Sequence, residues 1–255
     1  MTRASLDTAD ALFDLAIAEH GTGDLAKAEP LYRRALAGNP DHAQAANNLA
    51  VLLVQQNRLD EADEVFRRAA ASASADMDGL LNYGRFLLRR RHQPAEAVVM
   101  LRRAAALEPD NPALPILLGQ ALVDCGAGAE AVELLRRAVA LEPAAPLPRS
   151  LLGKALFLAG QWSEAERMFS ALLETHPADR LALTFLGLCR YQRKDLAAAI
   201  DCFDRALVLK PDDADVLINR GIALMDSGRL EEARDGFVAA MAQGGDPAAA
   251  FANLG

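Results

Sequence analysis

Aromatic side chains are scarce in this sequence: they make up 5% of its 255 residues and include a single Trp. Val, Ile and Thr never gather into runs that alternate with polar residues, so no segment reads as a half-buried strand. Cysteine is scarcer still. Cys125, Cys189 and Cys202 are odd in number and form no Cys-x-x-Cys pair, which points to a reducing compartment and away from a disulfide framework. Long apolar runs are missing, because charges recur every few positions; nothing approaches the roughly 18 apolar residues of a membrane-spanning helix. Near the start, Asp7, Asp10 and Asp14 interrupt the stretch that a secretion signal needs to keep apolar. Basic residues are outnumbered, 27 Lys and Arg against 35 Asp and Glu, and the net charge of -8 speaks against nucleic acid or an acidic membrane surface as the main partner. The expectation is a soluble, cytoplasmic protein.

Signatures of catalysis are missing as well. There is no Gly-x-Ser-x-Gly elbow, no Gly-rich phosphate loop and no His-Glu-x-x-His helix. His20, His42, His92 and His176 lie far apart, each without a second metal ligand nearby in sequence. No enzymatic site, metal or cofactor is expected within these residues.

What the chain does have is Ala and Leu, which dominate the 52% hydrophobic fraction and favour helix. It also has a repeat. Aligning AEPLYRRALAGNP, ADEVFRRAAASAS, AVVMLRRAAALEP, AVELLRRAVALEP, AERMFSALLETHP, AIDCFDRALVLKP and ARDGFVAAMAQGG puts their leading alanines at Ala28, Ala62, Ala97, Ala131, Ala165, Ala199 and Ala233. The intervals are 34, 35, 34, 34, 34 and 34 residues. Four positions after each alanine comes a bulky residue: Tyr32, Phe66, Leu101, Leu135, Phe169, Phe203 or Phe237. Three further on stands Ala35, Ala69, Ala104, Ala138, Leu172, Ala206 or Ala240, and steps of four and three keep all three residues on one helical face. Upstream sits a small residue that lets two helices approach: Ala16, Ala50, Gly84, Gly119, Gly153, Gly187 or Gly221. Pro40, Pro109, Pro143, Pro177 and Pro211 close five units, because proline cannot continue a helix.

This pattern resembles the tetratricopeptide repeat (TPR), in which a small residue, an Ala, an aromatic and a Pro recur over 34 residues. The resemblance covers essentially the whole chain. It implies an all-α fold, a right-handed α-solenoid of about seven helix-turn-helix units, with helix A of each pair on the concave side and helix B on the convex side. The chain is then one array over residues 1-255, with units approximately over 9-42, 43-76, 77-111, 112-145, 146-179, 180-213 and 214-247 and a partial eighth over 248-255, where Phe251, Leu254 and Gly255 echo the opening of a helix A. Stopping inside a unit suggests a fragment of a longer protein, or a makeshift cap. The third unit carries one extra residue between Arg89 and Ala97, expected to lengthen the turn between its helices. The second has Ser74 where others have a closing Pro.

Carried onto this sequence, the concave positions of the family give two kinds of surface. The N-terminal part is polar, with Asn47, Asn48, Asn82, Arg85 and Arg89. Further along it is apolar, with Leu117, Leu147, Leu151, Phe157, Leu181, Phe185, Leu188, Tyr191 and Ile222, and with Asn219 among them. An exposed apolar stripe of that length calls for a cover, and a client protein's helix or extended segment would supply it; packing within the array is the alternative for each residue singly. Asn48, Asn82, Asn219 and Asn253 share one helix A position. In arrays preceding O-linked N-acetylglucosamine transferases, matching asparagines hold the backbone of a bound peptide, but Leu117, Leu151 and Phe185 break the row here. The carboxylate clamp of chaperone cochaperones is disfavoured, because its first-helix positions hold Phe13 and Ile17. Arg89, Arg90, Arg91 and His92 are either a lure for an acidic segment or the basic end of a helix set against its own dipole. Trp162 reads as packing between repeats.

The leading functional expectation is a scaffold binding a protein or peptide client in its concave groove. The alternative is the substrate-recruiting N-terminal part of a longer enzyme, a bacterial protein glycosyltransferase, and a weak homo-oligomer is a third option.

Overall fold

The computed structural model describes residues 8–246, and within them every regular element is helical: fourteen α-helices, one π turn and no strand. The chain forms two compact units that divide after Cys125. The N-terminal unit holds α1 (Ala9–Gly21), α2 (Leu25–Gly38), α3 (Ala43–Gln55), α4 (Leu59–Ala71), α5 (Met77–Phe86), α6 (Pro94–Leu107) and α7 (Leu114–Asp124). The C-terminal unit holds α8 (Gly128–Leu141), α9 (Pro146–Leu158), α10 (Trp162–Thr175), α11 (Arg180–Gln192), α12 (Leu196–Leu209), α13 (Ala214–Asp226) and α14 (Leu230–Ala242). The expected eighth unit, with Phe251, Asn253, Leu254 and Gly255, lies outside the described residues.

Local chemistry sets the ends of these helices. Thr8, Asp24, Asp76, Asp179, Asp195 and Asp213 each accept a hydrogen bond from the amide three residues on, satisfying a donor that a helix start leaves free. The turns inside helix pairs pass through a left-handed residue, among them Gly23 (φ 83°), Asn57 (φ 60°), Gly160 (φ 74°), Lys194 (φ 65°) and Gly228 (φ 81°). The following amide then returns to a carbonyl five residues back, as Arg58 N does to Leu53 O at 2.9 Å and Gln161 N to Leu156 O at 2.9 Å.

The third pair departs from this, and corrects the expectation of a longer turn. Its left-handed residue is His92 (φ 55°), followed by one residue and then by α6, the same turn length as at Asn57. The extra residue sits before the turn, inside the first helix of the pair, where Leu87–Arg91 form a π turn and Gln93 N reaches back six residues to Leu87 O at 3.0 Å. Arg91 holds the widened turn in place. Its guanidinium donates to Asp60 Oδ1 at 2.8 Å and to Asp63 Oδ2 at 3.4 Å on α4.

Within each unit a helix packs on the next, and the first helices of successive pairs also touch, α3 on α5 and α5 on α7, then α9 on α11 and α11 on α13. The core that joins them is the repeat pattern itself. Ala28, Ala62, Ala97, Ala131, Ala165 and Ala199 are fully buried, and so are Tyr32, Leu101, Leu135, Phe169 and Phe203. The small upstream residue faces that bulky one across the pair. A Cβ added at Gly153 would lie 2.6 Å from the Phe169 ring, and one at Gly187 2.6 Å from the Phe203 ring. At Gly84 the obstacle is Leu101, 2.7 Å away.

Because Phe203 is buried on all sides, its ring has no room to yield to a methyl group. Gly187→Ala should therefore lower stability by about 1–3 kcal/mol through overpacking, more than the roughly 1 kcal/mol that alanine returns in helix propensity. Urea unfolding followed by circular dichroism measures the difference; a stabilised variant would contradict this packing.

Candidate functional site

In the N-terminal unit the polar candidates meet on the surface shared by α3 and α5. Asn82 Nδ2 donates to Asn47 Oδ1 at 3.0 Å, Asn47 Nδ2 donates to Asn48 Oδ1 at 3.4 Å, and Arg85 donates to Asn82 Oδ1 at 3.4 Å. Asn48 is hydrogen-bonded to Tyr32, whose hydroxyl lies 3.3 Å from His20 Nδ1, and His20 Nε2 lies 3.2 Å from Gln55 Oε1. Five side chains expected from sequence thus reduce to four in one chain of hydrogen bonds, with Arg89 beside it on the π turn. The asparagines do not stand as separate rungs: each spends part of its hydrogen-bonding capacity on its neighbour. Arg85, Arg89 and Arg90 border a pocket of about 260 Å³ whose other walls are Val51, Val54, Phe66, Asn82 and Phe86.

Beneath this surface lies a charged residue that sequence reasoning missed. Asp63 is buried on α4 and accepts from Tyr83 Oη at 3.0 Å and from Arg67 at 2.7 Å. Burial, and then the Asp63 carboxylate, push the Tyr83 hydroxyl up to about 12. The signal in the sequence was an Asp on the apolar side of α4, next to Ala62.

In the C-terminal unit the apolar candidates divide. Leu151, Tyr191 and Ile222 are buried within the unit, as Leu117 is within the other. Within its own unit α7 packs on α5 and α6, α9 on α8, α10 and α11, α11 on α9, α10, α12 and α13, and α13 on α11, α12 and α14, so neighbouring helices cover these side chains; the four are core residues and not accessible lining. Leu147 and Leu181 are exposed in the first turns of α9 and α11. Phe185 is half-buried, stacked on Phe169 at 5.5 Å and edge-on to Phe157 at 5.8 Å, with Lys154 Nζ 5.2 Å from its ring centre.

Phe157, Leu188 and Asn219 come together in an open cleft of about 850 Å³, with Leu158, Trp162, Gln192, Asp215 and Ile218. Trp162, expected to pack between repeats, is 36% exposed at the start of α10, after the Gly160 turn, and borders the cleft. Close by, Tyr191 Oη donates to Asp226 Oδ2 at 2.7 Å, and burial together with that carboxylate pushes its hydroxyl up to about 12. Among the described residues the cleft border has aspartates, amides and apolar side chains but no lysine or arginine.

The cysteines offer no activated nucleophile. Burial pushes the Cys189 thiol up to about 12 and raises Cys202 and Cys125 as well, against the direction that thiolate chemistry needs. Among the described residues no group of three His, Cys, Asp or Glu is placed to hold a metal ion, and no helix is long and apolar enough to cross a membrane.

Two family profiles described as tetratricopeptide repeat match the chain, one over residues 2–37, 13–76, 150–214 and 197–252 and the other over 88–138. The chain belongs to the tetratricopeptide repeat family. Its likeness to solved TPR structures is one of fold. MamA of Desulfovibrio magneticus RS-1 is 24% identical, with a TM-score of 0.56 over 66% of this chain and 94% of that one. YrrB, described as a TPR protein with an unusual peptide-binding site, is also 24% identical, with a TM-score of 0.62 over 78% of this chain and 98% of that one. A TPR protein from Parabacteroides merdae is 17% identical and covers 92% of this chain and 93% of its own, again at 0.62. No curated protein sequence matches.

The TPR core makes a spectroscopic prediction. Tyr83 and Tyr191 have folded values near 12 against about 10 when unfolded, so the stability they contribute is present below about pH 10 and lost as pH rises toward 12. Tyrosinate absorbance should stay low at pH 10 and appear together with loss of helix near pH 12. Tyr83→Phe with Tyr191→Phe should flatten that stability loss; half-ionisation of all three tyrosines at pH 10 in the folded protein would refute it.

Proposed function

We propose that this TPR chain is an interaction scaffold that holds a helical or extended segment of another protein in the cleft bordered by Phe157, Trp162, Leu188 and Ile218. The observation that carries the reading is the cleft itself. Its volume of about 850 Å³ falls in the range of roughly 300–1,000 Å³ typical of ligand sites, and its apolar border is interrupted by a few hydrogen-bonding groups, Gln192, Asn219 and Asp215. Apolar faces supply the favourable term when an amphipathic helix lies in such a groove, and the amides and carboxylate fix its register. With aspartates and no basic side chain at the border, the segment that fits is apolar with neutral or basic flanks.

The glycosyltransferase alternative has less support. A backbone clamp needs asparagines along successive first helices, and the matching positions hold Leu117 and Leu151, both buried, and Phe185, stacked on Phe169.

The test uses the chain's one tryptophan as reporter. Peptides selected from a random display library on the purified chain should shift Trp162 emission on binding, and Leu188→Asp should abolish the shift without loss of helicity. Trp162→Ala, read by anisotropy of the labelled peptide, should weaken binding by roughly 30-fold, the scale of a buried aromatic anchor. If the selected peptides leave the emission unchanged and tolerate Leu188→Asp, the cleft is not the binding site.

A further inference from the structure

Resting on the scaffold reading but on a separate surface, we propose that the pocket between α3 and α5 in the N-terminal unit binds an acidic peptide segment through one apolar side chain. Arg85, Arg89 and Arg90 hold the carboxylates on either side of it.

The pocket has a composite chemistry. Val51, Val54 and the edges of the buried rings of Phe66 and Phe86 form an apolar floor, and the three guanidinium groups stand around it. Its volume of about 260 Å³ gives room for a large side chain and not for a folded surface. An apolar anchor fits the floor, and only anionic flanks fit the rim.

These arginines lack carboxylate partners among the described residues: Arg85 meets the amide oxygen of Asn82, and Arg89 and Arg90 make no ion pair. Acid is not in short supply, since the chain carries 35 acidic residues against 27 basic ones. Nearby arginines are satisfied: Arg67 and Arg91 on Asp63, Arg91 also on Asp60, and Arg33 and Arg58 on Glu29 and Glu61. A helix-dipole role alone would not gather three unpaired guanidinium groups over an apolar floor.

The π turn supplies an independent observation. Widening the helix over Leu87–Arg91 brings Arg89 nearly above Arg85, where ordinary α geometry would rotate it further round. Arg91 turns the other way and is tied to α4, which leaves Arg89 and Arg90 on the pocket side. The one departure from the 34-residue spacing is therefore what assembles the basic rim. The site differs from the carboxylate clamp weighed from sequence, whose first-helix positions carry Phe13 and Ile17. A single-stranded nucleic acid is the poorer fit, because Phe66 and Phe86 are too buried to offer a stacking face and the net charge is -8.

The test is fluorescence anisotropy on the full chain with a short fluorescein-labelled peptide of Asp and Glu around a central Leu. The comparison probes are the same peptide with Ser for Leu, with Lys for the acids, and a single-stranded oligonucleotide of equal charge. The acidic Leu peptide should bind best, more weakly as salt rises, with a loss of about tenfold for Ser in place of Leu. Arg85→Gln with Arg89→Gln should cost at least tenfold, while Arg89→Lys, which keeps the charge, should cost less. Thermal melting checks that the variants fold, and Val51→Glu provides a second disruption that leaves the arginines in place. No binding, equal binding of the oligonucleotide, or indifference to these substitutions would overturn the proposal. Leu188→Asp separates it from the scaffold reading: it should leave the acidic peptide's affinity unchanged while abolishing binding in the other cleft.

Discussion

Everything in this protein depends on how closely two helices of a pair can approach. A glycine on one helix leaves a gap that a phenylalanine ring on the next fills, as at Gly153 with Phe169 and Gly187 with Phe203, and a single methyl group would close the gap entirely. The close approach buries the leading alanines and the bulky residues completely. Dispersion and hydrophobic burial at these positions, joined by buried first-helix residues such as Leu151 and Ile222, hold each pair and its neighbours, so only the outward-facing positions of the first helices are free of structural duty. That freedom is what permits α3 and α5 to be polar and basic while α9, α11 and α13 surround an apolar cleft.

The alternation of helices was legible because its signal is periodic: an alanine, a bulky residue four later and a small residue again three later fall on one face, and the cycle recurs at about 34 residues. The burial of Leu151, Tyr191 and Ile222 was not legible. A helix packed on its pair partner and on one or two like helices is apolar over a wider arc than it exposes, and one sequence does not show where that arc ends. The same limit applies to Trp162. A large ring at the first position of a helix suits either packing or an opening, and Trp162 is partly exposed at the border of the cleft.

Charge was informative only in the mean. The excess of acid disfavoured polyanion partners, yet it did not reveal that Asp60 and Asp63 would be taken by Arg91 and Arg67, or that Arg85, Arg89 and Arg90 would be left facing a pocket. Nor did identical residue types imply identical states: Asn48 and Asn82 occupy one repeat position, but their amides are linked through Asn47 into a network that continues to Tyr32 and His20.

The widened turn at Leu87–Arg91 also bears on how such a chain tolerates change in length. One added residue in a β-strand reverses which face every later side chain occupies, and the error travels to the end of the element. Here the helix takes up the addition within five residues, ahead of the left-handed turn at His92, and α6 begins as though nothing had been inserted. A single-codon insertion in this position is thereby a local event, able to redirect two or three side chains while the packing downstream keeps its phase.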